Sequence, residues 1–496
     1  MHFIQNFPFF CIFLSCLCGI ACLLPGNRTA KNLTIGCLSL LIIMSLVLLM
    51  YTMENGESFT YLMGHFPNPF VNEIRAGPLE ALFALFFCII GLLSLCGGIN
   101  EMEEQVPVDK ISYYYLVLNI LMASVLSLVY SNDFFTAFVF IEILTIASCI
   151  IIVIKPGGAT LLATIIYLVM SLISSCLILF SIAMIYGISG HLLMPNLQQI
   201  IIGLALEGIY TLPLFVFSGL LFTGLAIKCA IFPFHGWLPN AYTSSLSSSS
   251  SIMSGIISKC YILFVFKIIY RVLSPGVLES IKLQHMFLFL GGAGIVYGSY
   301  MAIKAKNIKR MLSYASIVQV GSLGIAIGIN TEAVAAAAFF HMMVHAAAKA
   351  MLFTAAGGLS QVSGDTGSYS IRGAGRRDPL SAAAFIIAVF SIIGIPPFPG
   401  FFSKLFFTQA VLESPHAIPA IAFVVVISTA LSAMYFFPAI GIMLSKTSES
   451  VTENLTASAP LLYRIVMVSF IVIMALFTFF SGPILDISER GLALFG

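Results

Sequence analysis

Eight ionisable side chains in this sequence, Glu142, Lys228, His235, Lys259, His341, His345, Lys349 and Lys404, stand inside or beside long apolar runs. A charge at the centre of a bilayer costs ~2.5 kcal/mol or more, so each such group needs a partner and is a candidate for function. Glu142 lies in Phe138-Val139-Phe140-Ile141-Glu142-Ile143-Leu144, too far from either end of its run to snorkel. It is expected to be the counter-ion of a buried lysine, with a static structural pair as the bland alternative. Lys228, Lys259 and Lys404 are the matching bases, because an ammonium withdrawn from water gives up its proton more readily. His341, His345 and Lys349 recur every four residues and therefore share one helix face. Three titratable groups stacked on an Ala-rich helix suit a proton path, since imidazole both accepts and donates near neutral pH. A His-x3-His pair can also hold a metal, but no carboxylate or Cys shares that face, so no metal is expected. His235 follows Pro233 and is expected either to gate the relay or to cap a broken helix. Eight serines between Ser244 and Ser254 suit a water-holding, pore-lining stretch or an exposed loop. Lys267 with Arg271 reads as an interfacial anchor whose long stem snorkels.

Only a helical membrane protein can position such groups. Of the 496 residues 60% are apolar and 8% charged, and the mean hydropathy is +1.06, which excludes a water-soluble globule. The net charge of +2 leaves no basic excess for nucleic acid. Eleven Cys, mostly inside apolar runs, read as small core residues, with no metal or haem motif among them. Apolar stretches long enough to span succeed one another fourteen times between residues 3 and 481, among them 134–154, 212–232, 253–270 and 380–412. The first is expected to be retained as a helix, since it lacks the charge pattern and cleavage site of a signal peptide. P-loop, Gly-x-Ser-x-Gly and dinucleotide fingerprints are missing from the sequence, so this chain alone is not expected to use ATP or to carry out redox chemistry.

Two of the stretches are interrupted. One runs Ile227-Lys228-Cys229-Ala230-Ile231-Phe232-Pro233-Phe234-His235-Gly236-Trp237-Leu238-Pro239, the other Gly394-Ile395-Pro396-Pro397-Phe398-Pro399-Gly400-Phe401-Phe402-Ser403-Lys404. Backbone unwinds at membrane depth only where protein or a water-filled cavity satisfies it. The breaks fall on the seventh and twelfth helices, an odd offset that reverses direction across the membrane. This predicts two inverted five-helix repeats, 111–271 and 272–445, flanked by 1–110 and 446–496, an arrangement in which transporters hold ions at broken helices. With the four Lys inside spans set aside, loops after odd-numbered helices carry 13 of the remaining 18 Lys and Arg. Those loops are expected on the cytoplasmic side, and both termini outside.

These stretches resemble the antiporter-like membrane subunits shared by respiratory complex I, Mrp-type Na+/H+ antiporters (the D-type subunit) and membrane-bound energy-converting hydrogenases. The resemblance is carried by Asn132-Asp133-Phe134-Phe135 through Glu142, Lys228 with Pro233-Phe234-His235-Gly236-Trp237-Leu238-Pro239, Lys309-Arg310-Met311-Leu312-Ser313-Tyr314-Ala315-Ser316, His345 with Lys349, and Gly394-Ile395-Pro396-Pro397 through Lys404. It implies a fourteen-helix core in which Glu142 and Lys228 form an ion pair, Lys259 relays, His345 and Lys349 lie on the central axis and Lys404 serves the exit half-channel. Lysine at 404 is similar to D-type, N-type and L-type members, and the chain ends soon after helix 14, without the long lateral helix of the L-type. The serine run resembles the hydrogenase branch, and Gln319 the Mrp D-type branch. What the resemblance implies is a proton-translocating subunit, with Na+ as the alternative cargo, in a redox complex of a prokaryotic cell membrane. Its partners would be related membrane subunits, lipid and a soluble redox arm whose Fe–S and NiFe centres lie outside this chain. The competing readings are a D-type antiporter subunit without redox partner and a stand-alone permease for an organic solute.

Overall fold

In the computed structural model, residues 3–495 are described except for 25, 63–71, 209, 364–370, 413, 415, 416 and 447–459. Pro25 and part of the polar connection Ser363 to Asp378 therefore lie outside the described residues. Among the described residues the secondary structure is helical apart from one hairpin, as it must be where no water can satisfy the backbone. Thirteen described helices are long and apolar enough to cross a membrane. They include α1 (Phe7–Ala21), α2 (Asn27–Asn55), α3 (Pro78–Gln105), α4 (Ile111–Tyr130), α5 (Phe134–Val153) and α6 (Gly158–Ser189). A short α7 (Met194–Leu206) precedes α8 (Thr211–Cys229), which breaks and resumes as α9 (Leu238–Ser244). Then come α10 (Ser247–Leu273), α11 (Leu283–Lys304), α12 (Ile308–Ile329) and α13 (Glu332–Ser363). The stretch 380–412 is present as two shorter helices, α14 (Pro379–Ile393) and α15 (Pro399–Val411), followed by α16 (Ala417–Leu444), α17 (Leu461–Phe479) and α18 (Ser481–Ala493). The two pieces together occupy the place of the twelfth of the fourteen stretches expected, and each alone is too short to count among the thirteen.

Local chemistry fixes several helix starts. The side chains of Asp133, Asn307 and Asp378 accept from the amides of Thr136 (2.7 Å), Arg310 (3.2 Å) and Ser381 (3.2 Å), satisfying N–H groups that the first turn leaves open. Helices α11 and α12 approach so closely that a Cβ on Gly291 would lie 2.6 Å from the Gly321 carbonyl oxygen. Small residues let helix backbones meet in this way where lipid supplies no hydrophobic drive between helices. Helices α10, α12 and α13 are almost wholly buried and form the centre, while α2, α6, α16 and α17 present apolar faces outward.

Three sequence expectations change. The serine run is neither loop nor surface: Ser247 to Ser251 are buried and begin α10, six residues before the expected start of that span. Lys267 and Arg271 do not snorkel. Both are buried, with Lys267 Nζ donating to the Val129 carbonyl at 2.7 Å and Arg271 to the Phe495 carbonyl at 2.5 Å. Helix α7 and an antiparallel hairpin, β1 (Phe59–Leu62) with β2 (Glu73–Ala76), were not anticipated, because each is too short to leave a hydrophobic period.

Candidate functional site

The first group lies where α5, α6 and α8 meet. Lys228 occupies the last turn of α8, where unpaired carbonyls give the helix end a negative partial charge that favours a cation. Its Nζ donates to Thr145 Oγ1 at 2.6 Å and sits 3.8 Å from Glu142 Oε1. Glu142 also accepts a hydrogen bond from the Ser175 hydroxyl. The lysine side chain is 1% exposed and the carboxylate 29% exposed, so the pair is wetted or covered from one side only. At the break that follows, the Trp237 indole donates to the Ile227 carbonyl at 2.9 Å. Trp237, not His235, therefore caps the broken helix. His235 packs among aromatic rings, with Phe232 at 5.5 Å and Tyr297 at 4.8 Å between centroids.

The second group joins α10, α12 and α13. Lys259 follows a π-helical turn, Met253–Ile257, whose widened ladder leaves carbonyls free for side chains, a distortion frequent at functional sites. Its Nζ donates to the Ser254 carbonyl at 2.5 Å and to Ser258 Oγ at 3.3 Å. Ser254 Oγ is 3.3 Å from Ser316 Oγ on α12, and Ser316 Oγ donates to the Leu312 carbonyl at 3.1 Å. The same carbonyl accepts Lys349 Nζ at 2.7 Å. Hydrogen-bonded residues thus lead from Lys259 to Lys349 by way of Ser254, Ser316 and the Leu312 carbonyl.

The third group lies where α13 meets the second broken helix. His341 and His345 stack with ring centroids 6.0 Å apart and planes 9° from parallel, as the four-residue spacing predicts. His341 Nδ1 is 2.6 Å from Ser403 Oγ, next in sequence to Lys404. Lys404 Nζ donates to Thr429 Oγ1 at 2.5 Å and to the Ile393 carbonyl at 2.9 Å. Ile393 ends α14, so this ammonium too rests on the C-terminal end of a half-helix, although Lys404 follows its break and Lys228 precedes its own. Gly394 makes this possible: its φ is +91°, and a Cβ there would lie 2.9 Å from Lys404 Cδ. A cavity of about 10 Å³ is lined by His341, His345, Gln319, Ser391 and Lys404, among others. Both nitrogens of His345, Nε2 of His341 and Nε2 of Gln319 are buried without a protein partner among the described residues. One water is the group that fits this space and satisfies these atoms.

The structure thus gathers seven of the eight sequence candidates into three groups and leaves His235 apart. It adds hydroxyl partners that the sequence did not single out: Thr145, Ser175, Ser316, Ser403 and Thr429. Thr145 carried a signal, since it falls three residues after Glu142 on the same face; Thr429 lies on α16 and carried none. Among the described residues no group of three or more His, Cys, Asp or Glu is placed to hold a metal, and all eleven Cys are free thiols.

Residues 131–432, spanning every group above, match the transmembrane family model of NADH:quinone oxidoreductase and Mrp antiporter subunits. The chain belongs to this family. Among its relatives, NADH-quinone oxidoreductase subunit N of Desulforudis audaxviator is 31% identical over 79% of this chain and 76% of its own length. The D subunit of the Na(+)/H(+) antiporter of Alkalihalophilus pseudofirmus is 28% identical over 80% and 78%, and F(420)H(2) dehydrogenase subunit N of Methanosarcina mazei 25% identical over 89% and 90%. Two solved structures share the fold. A chain of the archaeal membrane-bound sulfane sulfur reductase superposes with a TM-score of 0.85, covering 99% of this chain and 96% of that one at 24% identity. A chain of the Mrp complex from Dietzia does so with a TM-score of 0.87, covering 99% and 97% at 19% identity. This antiporter-like subunit therefore has the family fold over its whole length, and its relatives divide between redox-linked and antiporter complexes.

Proposed function

We propose that this antiporter-like subunit carries protons across the membrane within a multisubunit redox complex, passing them along Glu142, Lys228, Lys259, Lys349, His345, His341 and Lys404. The observation that carries the reading is the row of buried groups from Lys259 through Ser254 and Ser316 to Lys349, followed one helical turn along α13 by His345 and its cavity beside Lys404. A buried cation with neutral hydroxyl and carbonyl partners, and no carboxylate within salt-bridge distance, is held weakly enough to lose its proton and regain it. Of the four relay lysines, only Lys228 has an acid within 4.0 Å among the described residues. Movement of Glu142 relative to Lys228 is then the electrostatic trigger that a partner's redox step pulls. His235, apart from the row, stands at the mouth of the first break as a gate.

The two lysines at half-helix ends support inverted repeats over 111–271 and 272–445. Burial of Arg75, Lys267 and Arg271 removes three of the five basic residues assigned to the outer side, which strengthens the reading that both termini face outward from a prokaryotic cell membrane. Glu142, partly exposed at bilayer depth, calls for a neighbouring membrane subunit over that face, since lipid cannot solvate a carboxylate. Fe–S and NiFe centres, and the soluble arm that bears them, belong to such partners. A second reading, a D-type member of an Na+/H+ antiporter with no redox arm, is favoured by the Alkalihalophilus relative. Mass spectrometry and metal analysis of the complex purified in mild detergent separate the two: iron and nickel in soluble subunits mark the redox pump, and small membrane subunits alone the antiporter. For the relay itself, Lys228→Ala and Lys404→Ala are expected to assemble and to lose proton pumping. Normal pumping by both would end the proposal.

A further inference from the structure

A cavity of about 590 Å³ lies at one end of the bundle, between the ends of α3 and α13 and the starts of α10, α14 and α17. Its walls carry Glu101, Glu103, Glu104 and Asp378, with Ser247, Thr354 and Tyr463 deeper in. Glu103 is paired outward with Lys31 at 3.0 Å, Glu104 takes an amide hydrogen bond from Gln361 at 3.3 Å, and Glu101 accepts from the Ser247 amide at 2.8 Å and faces Lys309 at 3.7 Å. The Ser247 side chain is the second observation. The residue is 2% exposed and lines this cavity, yet its hydroxyl has no hydrogen-bond partner among the described residues. A buried hydroxyl of that kind is satisfied by water entering the cavity.

From Ser247 a row of hydroxyls leads inward. Ser247, Ser251, Ser254 and Ser258 are spaced four, three and four residues apart, one face of α10, and all are buried. Thr354 of the cavity wall donates to Ser251 Oγ at 3.4 Å, and Ser251 shares a hydrogen bond of 2.7 Å with Ser94. Ser254 reaches Ser316 beside Lys349, and Ser258 reaches Lys259. The row therefore runs from the acidic cavity toward both central lysines without passing the Glu142–Lys228 pair, with gaps between Ser247, Ser251 and Ser254 that no direct hydrogen bond among the described residues closes.

We propose that this acidic cavity and the serine face of α10 form a second proton entrance, which delivers protons from water directly to Lys259 and Lys349. Water entering from the cavity bridges the hydroxyls that do not touch, and each oxygen in the line accepts a proton from the outer side and releases its own inward, so that one proton enters, one arrives at a lysine amine, and every hydroxyl and water is restored. The carboxylates raise the local concentration of cations at the mouth. Basic loop residues place this end on the cytoplasmic side in the orientation proposed above. The inference rests on the relay proposed for the lysines.

Two measurements test it on the assembled complex in everted membrane vesicles. The first follows proton movement with a pH-sensitive dye in Ser247→Ala/Ser251→Ala, with Lys404→Ala as reference and assembly checked by native gel. The double variant is expected to assemble and to pump about tenfold more slowly, a barrier increase of ~1.4 kcal/mol. Full pumping by the double variant, with Lys404→Ala inactive, overturns the second entrance and leaves the relay standing; full pumping by both overturns the relay. The second introduces Ser247→Cys and compares cationic and anionic methanethiosulfonate reagents against the background of the unsubstituted chain. The cationic reagent is expected to react about tenfold faster, as an acidic mouth requires, and to slow pumping. A thiol at 247 that neither reagent reaches, or that both reach equally, overturns the entrance even if Ser247→Ala/Ser251→Ala fails to assemble.

Discussion

At the scale of single residues, Lys259, Lys349 and Lys404 share the neutrality of their hydrogen-bond partners. Lys259 and Lys349 rest on backbone carbonyls and Lys404 on a carbonyl and a threonine hydroxyl, ligands that hold an ammonium without trapping it as a tight carboxylate pair would. Arg75 and Glu80 show the contrast, with a direct ion pair at 2.5 Å and both side chains buried, a geometry suited to permanence. The position of Lys404 depends on Gly394, and Gly394→Ala meets both a strained φ and the lysine's own stem. The substitution is expected to cost ~1–3 kcal/mol and to lower pumping, while Gly482→Ala, where a Cβ meets nothing within 4 Å, leaves both unchanged. Thermal unfolding of the purified complex and vesicle pumping read the two effects; equal behaviour of the two variants would refute the role of Gly394.

At the scale of elements, the two broken helices do the positioning. Each ends a half-helix inside the bundle, which exposes carbonyls at a depth where only a protein donor or water can reach them. Trp237 takes one such carbonyl and Lys404 another. A different device anchors α18. Arg271 from the end of α10 donates to the Phe495 carbonyl, Arg75 to that of Leu494, and the two guanidinium groups lie 5.8 Å and 5.6 Å from the Phe495 ring centroid. Arg271→Leu removes a buried donor and one cation–π contact, so ~1–3 kcal/mol of stability is expected to be lost. Faster proteolysis near α18 in detergent is the expected sign, and unchanged protease resistance would count against this anchoring.

At the scale of the whole molecule, the face formed by α5 and α6 is the odd one. It is apolar, with Ile146 58% exposed and Leu172 52% exposed, yet it carries Glu142. Because a neighbouring membrane subunit is expected over it, Ile146→Cys should cross-link to that neighbour and not to lipid-borne reagents. A photoactivatable lipid probe that labels position 146 in the intact complex would show that face to be bare.

How much of this was legible differs by kind of feature. Glu142, Lys228, Lys259, His341, His345, Lys349 and Lys404 announced themselves because charge inside an apolar run is costly enough that sequence alone marks it. The number of passes, the two breaks and the shared face of the α13 histidines followed from hydropathy, proline and helical period, all local properties of the chain. Lys267 and Arg271 misled for a reason in the same physics: near a helix end, sequence cannot tell a side chain that snorkels to water from one that another segment covers, and here Phe495 and Val129, far away in the chain, supply the cover. The serine run was ambiguous because hydroxyls suit loops and buried helices alike; packing against α3, α12 and α13 decided it. The hydroxyl partners, Thr145 at Lys228, Ser316 at Ser254 and Thr429 at Lys404, come from other helices, and only the tertiary structure brings them within 3.5 Å of the groups they meet. Composition and period determined that this chain is a membrane bundle with ionisable groups in its core; the crossing of helices distant in sequence decided which of those groups touch.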